Sequence, residues 1–229
     1  RWAGGPAGVD RAGRENSVAD AVVGAAQVGH GRELRFEGES TPTLLGLDIA
    51  RSGGIDNART IFLGTLSKTL SPALRIGWVC GPKPVIEKLV LLKQGADLHV
   101  STINQMVAHR AVSEGYDQHL HRLRGAYGAK GRVMLAALER TMPKGVTWSH
   151  PEGGMFVWIN LPEGIDGAAL LARAIAEERV AFVPGAPFYA EVQTPNAIRL
   201  SYSLPTDEQI EEGVGRLARL IGRVISETK

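Results

Sequence analysis

Thr65-Leu66-Ser67-Lys68-Thr69-Leu70-Ser71-Pro72-Ala73-Leu74-Arg75-Ile76-Gly77-Trp78 sets one lysine among small hydroxyl residues and follows it with an arginine seven positions later. The run before it, Thr60 to Gly64, is β-branched and aromatic and ends at glycine, which reads as a buried strand. Lys68 therefore falls just past a strand end. An ε-amine there can add to a carbonyl and lose water, provided a nonpolar or cationic neighbourhood keeps part of it unprotonated. Arg75 is the cationic neighbour. Its planar fork can also grip a phosphate, with the hydroxyls of Thr65 and Ser67 donating to the remaining oxygens. These residue types in one loop point to a phosphorylated carbonyl cofactor.

Further along, Asn196-Ala197-Ile198-Arg199-Leu200-Ser201-Tyr202-Ser203 alternates apolar and polar residues and places Arg199 mid-strand. A mid-strand arginine needs a partner, either a carboxylate of the core or one brought by a ligand. Two other segments frame it. His150-Pro151-Glu152-Gly153-Gly154-Met155-Phe156-Val157-Trp158-Ile159 reads as a strand entered through paired glycines. Val183-Pro184-Gly185-Ala186-Pro187-Phe188 reads as a loop in which Gly185 allows a tight turn and Phe188 lines a pocket.

In this order the segments resemble the fold-type I aminotransferases that use pyridoxal phosphate. Gln94 to Gln105, QGADLHVSTINQ, is similar to the subgroup holding aminoadipate, kynurenine and aromatic aminotransferases and the effector domains of MocR-type regulators. The resemblance runs from about Arg32 to Lys229. It implies an α/β fold: the C-terminal portion of the large domain, a mostly parallel sheet with helices, plus the complete smaller α+β C-terminal domain. The implied boundaries are 1–31 for an atypical segment, 32–125 for the partial cofactor-binding domain and 126–229 for the small domain. It also implies Lys68 as the catalytic Schiff-base lysine, and Thr65, Ser67 and Arg75 as phosphate ligands of pyridoxal 5'-phosphate. Arg199 would hold the substrate α-carboxylate. The implied activity is transamination between an α-amino acid and a 2-oxo acid by a homodimer, and the single cysteine fits a cytoplasmic location. The alternative is the effector domain of a MocR-type regulator, although residues 1–31 contain no basic recognition helix.

Composition agrees with a globular chain of 229 residues, 44% hydrophobic and 22% charged. A net charge of +2 with no basic run interleaved with aromatics does not favour nucleic acid as a partner. No stretch is apolar and long enough to cross a bilayer as a helix. Cys80, the only cysteine, cannot form an intramolecular disulfide and reads as a buried structural thiol. His119 and His121, two apart, point to different faces of a helix and do not suggest a shared metal. Ser67-Lys68-Thr69 imitates the end of a nucleotide-binding P-loop, but Ser67 and Phe62 stand where that loop needs glycines. Nor does any serine sit in a glycine-framed nucleophile elbow.

Periodicity predicts helices over 84–93, from a Thr102–Gln105 capping box to Gly115, over 116–142, over 167–178, and from a Thr206–Gln209 capping box onward. The long 116–142 helix is expected to join the two domains. Strands are expected over 146–149, 155–161, 180–183 and 197–202. Arg1 to Gly31 differs in kind, rich in Ala, Gly, Val and Arg and lacking Leu, Ile and Phe. That composition matches GC-rich codons read out of frame, so the segment is expected to be out of frame or disordered. The resemblance places there an aspartate for the cofactor's ring nitrogen and a tyrosine three residues later. Val28 and Gly31 occupy those positions.

Overall fold

The computed structural model describes residues 25–28, 30–189 and 196–227. Its contacts divide the chain into two units. One holds the described residues through Leu34 together with Glu39–His121, and the other holds Arg35–Gly38 and the chain from Arg122 onward.

In the first unit, β1 (Ala25–Val28) lies parallel to β2 (Thr60–Thr65), and β3 (Gly77–Cys80) pairs antiparallel on the other side of β2. Between β1 and β2 come a short α1 (His30–Glu33) and α2 (Leu44–Ser52). Helix α2 starts at Thr43, whose side chain accepts from the Gly46 N–H, and ends at Gly53 in the left-handed region. The strand expected over 60–64 is thus present and one residue longer. Gly64 is dictated by packing, because a Cβ there would fall 2.0 Å from the Trp78 indole.

Helices α3 (Lys83–Ala96) and α4 (Thr102–Ser113) follow. Helix α3 runs through Gly95 and is capped by Asp97, whose N–H reaches the Lys93 carbonyl and whose carboxylate meets the Lys93 ammonium at 2.8 Å. The start of α4 differs from the expected capping box. Ser101 is the N-cap, accepting from the Asn104 N–H, and Gln105 donates its side-chain amide to the Val100 carbonyl instead of closing a box with Thr102. Helix α5 (Tyr116–Thr141) contains the division between the units. Cys80 corrects the expectation of a buried thiol: it is exposed, as is every residue of β3.

The second unit is a four-stranded antiparallel sheet in the order β4 (Thr147–Trp148), β5 (Phe156–Asn160), β7 (Ala197–Ser201), β6 (Val183–Pro184). One face of its central strands carries Val157, Ile159, Ile198 and Leu200, all buried. Met134, Ala137 and Leu138 of α5 and Ile210, Val214, Leu217, Leu220 and Ile221 of α7 (Asp207–Glu227) complete that core. The capping box before α7 forms as expected. Thr206 donates its N–H to Gln209 Oε1 at 2.9 Å, and the Gln209 N–H reaches Thr206 Oγ1 at 3.3 Å. The stretch expected as one helix over 167–178 is α6 (Gly167–Arg173), begun by the Asp166 cap, followed by a π-helical turn over Ala174–Glu178. That widened turn ends at Arg179 with φ of 54°, and its Glu177 and Glu178 pair with Arg223 of α7.

Candidate active site

Lys68 is exposed on the turn after β2. The Leu66 carbonyl accepts from the N–H groups of Leu70 (2.9 Å) and Ser71 (3.0 Å), which winds Ser67, Lys68 and Thr69 into a single tight turn. Thr69 beside it is fully buried and anchors that turn in the unit. The Thr65 hydroxyl lies 3.0 Å from Ser67 Oγ and 3.1 Å from the Ile76 carbonyl, two acceptors that compete for its one proton, while it accepts from the Ser67 N–H at 3.1 Å. Thr65 and Ser67 are therefore brought together as a pair of hydroxyls.

Arg75 returns to the same region through β-sheet register. Gly77 is the cross-strand partner of Thr65, and the Leu66 N–H reaches the Ile76 carbonyl at 3.2 Å, so Arg75 follows the other arm of the same loop. It sits in the left-handed region at φ of 53°, closing the Pro72–Leu74 turn that Ser71 caps. Its guanidinium donates to the Pro72 carbonyl at 3.2 Å, and Asn104 of α4 ties down the Leu74 carbonyl at 3.1 Å. A non-glycine residue in the left-handed region costs energy, which the surrounding turn must offset. Val28 ends β1 opposite Leu63, so the parallel pair β1–β2 delivers Val28 and the Lys68 turn to the same, carboxyl end of the sheet. That edge is where open α/β sheets bind ligands. Gly31 lies in α1, and what precedes Ala25 is outside the described residues.

The second unit places Arg199 in the middle of β7, opposite Trp158 of β5 and Val183 of β6. Directly opposed and diagonal residues share a face, so Phe156, Trp158 and Arg199 stand together on the face opposite Ile198 and Leu200. The Arg199 Cζ lies over the Phe156 ring at 4.1 Å from its centroid and over the Phe188 ring at 4.7 Å. Trp158 meets Phe188 edge to face at 5.6 Å and Tyr189 at 6.0 Å. Arg199 Nε is buried with no hydrogen-bond partner. Among the described residues no carboxylate pairs with this guanidinium, so the alternative of a core salt bridge is not what the strand provides.

Of these residues, sequence patterning selected Lys68, Thr65, Ser67, Arg75, Arg199 and Phe188. It missed Phe156 and Trp158 as neighbours of Arg199. Their alternation in β5 puts them on one face, but which face Arg199 shares depends on β5–β7 register. Gly185 is also reinterpreted. Its φ of −79° is ordinary, and it is glycine because a Cβ would fall 2.6 Å from Ala197 Cβ, where its own N–H donates to the Ala197 carbonyl. Two shallow surface depressions, one at Arg219, Arg223 and Glu227 and one at Met106, Val107 and Arg110, include neither Lys68 nor Arg199.

A family model described as aminotransferase class I and II matches residues 37–217, and the chain belongs to that family. It is 45% identical over 190 residues to the 2-aminoadipate transaminase of Thermus thermophilus, an alignment covering 83% of this chain and 47% of that protein. It is similar in structure to an α-aminoadipate aminotransferase of Thermus thermophilus solved with N-(5'-phosphopyridoxyl)-L-leucine. The TM-score is 0.82 and the identity 42%, over 88% of this chain and 51% of that one. An uncharacterised HTH-type transcriptional regulator of Bacillus subtilis is 36% identical over 74% of this chain and 35% of its own length. The chain thus spans about half the length of the aminotransferases it matches. Its fold is the C-terminal portion of the fold-type I aminotransferase architecture.

Proposed function

We propose that this chain carries the lysine-bearing and carboxylate-binding part of a pyridoxal-phosphate-dependent aminotransferase acting on an α-amino acid and a 2-oxo acid. One observation carries the proposal: Arg199 is a strand-borne cation faced by two aromatic rings, with Nε unpaired and no protein carboxylate to neutralise it among the described residues. An arginine left so is a receptor for a planar anion, and a bidentate carboxylate satisfies its fork.

The donor set at the end of β2 fits the cofactor. Thr65 and Ser67 present adjacent hydroxyls and Arg75 a guanidinium on the opposing arm of the loop, a combination suited to a phosphate dianion. Lys68 is the amine on that loop suited to an aldehyde. When bound, the cofactor supplies that aldehyde and a ring able to take up electron density from the substrate α-carbon. Lys68 Nζ, as a free amine, takes the proton from the α-carbon and holds it for return, a general-base and then general-acid role. Arg199 fixes the carboxylate and thereby the orientation of the bond to be broken. Val28 has no ionisable group, so the proposal gives it no part in holding the ring nitrogen.

The proposal includes a homodimer, supported by the exposed apolar side chains of Leu91, Leu92, Ile103 and Met106 on α3 and α4. It also includes a cytoplasmic location, supported by the single cysteine.

The test is an absorbance titration of the purified chain with pyridoxal phosphate. A visible band is expected in the wild type and absent in Lys68→Ala, with the apparent Kd raised roughly tenfold or more in Arg75→Ala through loss of a charge-assisted contact. A band that survives Lys68→Ala refutes the lysine assignment, and no band in the wild type refutes cofactor binding by this chain. The similarity to an HTH-type regulator favours one second reading, ligand sensing on the same fold. Supplying an amino acid and a 2-oxo acid and assaying the exchanged products separates the two, since a sensor binds without turnover.

A further inference from the structure

Arg199 differs from the arginines of α6 and α7. Arg173, Arg216, Arg219 and Arg223 each meet a glutamate, whereas Arg199 meets rings. We infer that Phe156 and Phe188 are positioning residues that hold the Arg199 guanidinium with its donors uncommitted to protein acceptors and so available to a ligand carboxylate, and that Trp158 acts through Phe188. The inference rests on the reading of Arg199 as the carboxylate receptor and names the residues that make it one.

A ring face within about 6 Å stabilises a guanidinium without consuming any N–H donor, because the attraction is to the ring quadrupole. A carboxylate partner in the protein would do the opposite and occupy the fork that a substrate needs. Two such faces, at 4.1 and 4.7 Å, therefore keep the charge in a half-buried strand while leaving its donors unspent, in accord with the unpaired Nε. The two rings are placed by different means. Phe156 is fixed by β5, diagonal to Arg199 in the ladder, so it is as rigid as the sheet. Phe188 lies on the turn after β6 and is half exposed, at 52%. Its aim depends on Trp158, which meets it at 85° and is itself the directly opposed partner of Arg199. The orientation of Arg199 is thus over-determined on one side by the strand and set on the other by a three-residue relay.

The test uses the full chain with 15N-labelled arginine. The Nε–Hε signal of Arg199, assigned by its loss in Arg199→Lys, is followed alone and during titration with 2-oxoglutarate. In the wild type the Hε signal is expected to be displaced by ring currents and to move as the 2-oxo acid binds. Phe156→Leu, Phe188→Leu and Trp158→Leu should each return it toward the free-arginine position and raise the Kd roughly fivefold, the loss of one cation–π contact. Phe156→Tyr and Phe188→Tyr, which keep the ring, should restore both values and show that folding is intact. An unchanged Hε position and Kd in all three leucine variants overturns the positioning roles. A displaced Hε that the leucine variants abolish, but that 2-oxoglutarate does not move, upholds the ring placement and overturns the carboxylate reading of Arg199. Equal binding by Arg199→Lys overturns that reading as well.

Discussion

Helices α3 and α7 both carry an apolar stripe at helical spacing, yet among the described residues that of α7 is buried and that of α3 is mostly exposed. In α7, Ile210, Val214, Leu217, Leu220 and Ile221 are buried. In α3 nothing is buried, and Leu89, Val90, Leu91 and Leu92 are exposed by 37%, 50%, 59% and 70%. The two sheets differ in the same way. β5 and β7 bury one whole face, whereas all four residues of β3 are exposed. The lesson is that periodicity tells which face of an element is apolar and says nothing about what covers it. The α7 side of the second unit is therefore the better covered, while the lysine loop of the first is held by turn hydrogen bonds together with buried Leu66 and Thr69.

The largest test of that contrast is Leu138→Ala. Leu138 is fully buried, so the change should lower unfolding free energy by about 2–5 kcal/mol in a urea titration. Leu91→Ala in α3 is its counterpart, expected to cost little because Leu91 is 59% exposed, and a comparable loss there would break the contrast between the two helices.

Next comes Tyr202, fully buried with its hydroxyl donating to the Gly154 carbonyl at 3.1 Å and its pKa pushed up to about 12 by burial. Because the folded pKa lies above the unfolded one, the protonated phenol stabilises the fold fully below about pH 10. That contribution, on the order of 2 kcal/mol, should fade between about pH 10 and 12. Tyr202→Phe should remove that alkaline transition from a stability–pH profile, and a profile unchanged by the substitution would place its cause elsewhere.

Gly185→Ala should cost about 1–3 kcal/mol, since its Cβ meets the backbone of β7 as well as a side chain. Gly53→Ala has open space and loses only through its positive φ of 80°, about 1 kcal/mol, so thermal melts of the pair separate clash from backbone strain. The smallest effect is expected at the caps. Thr206→Ala should cost about 1 kcal/mol by breaking a reciprocal box, and Ser101→Ala, whose one cap bond is a long 3.4 Å, should cost less. The reverse order would show that the reciprocal box adds nothing beyond a single long cap bond.

Much of the site could be read from the chain because its signals are local. The Lys68 turn follows from a strand run ending at glycine and from hydroxyls two residues apart, and the Thr206–Gln209 box spans three residues. Where local signals competed, sequence reasoning slipped. Ser101 and Thr102 are both good caps, and the backbone turned at the first. The helix expected over 167–178 widens into a π turn whose acids at 177 and 178 pair with α7, a partner that periodicity within the segment cannot reveal. Cys80 sits in an apolar run, but β3 is an exposed edge strand.

By itself the sequence determined the order of the helices and strands that follow β3, the loop chemistry around Lys68 and the presence of an arginine in mid-strand, all consequences of neighbours within a few residues. Only the tertiary structure decided that Arg199 faces Phe156 and Phe188, that Trp158 stands behind Phe188, and that Gly185 is small to admit β7. These are facts of long-range packing and cross-strand register, and a shift of one residue in a strand would turn Phe156 and Trp158, or Arg199, to the other face.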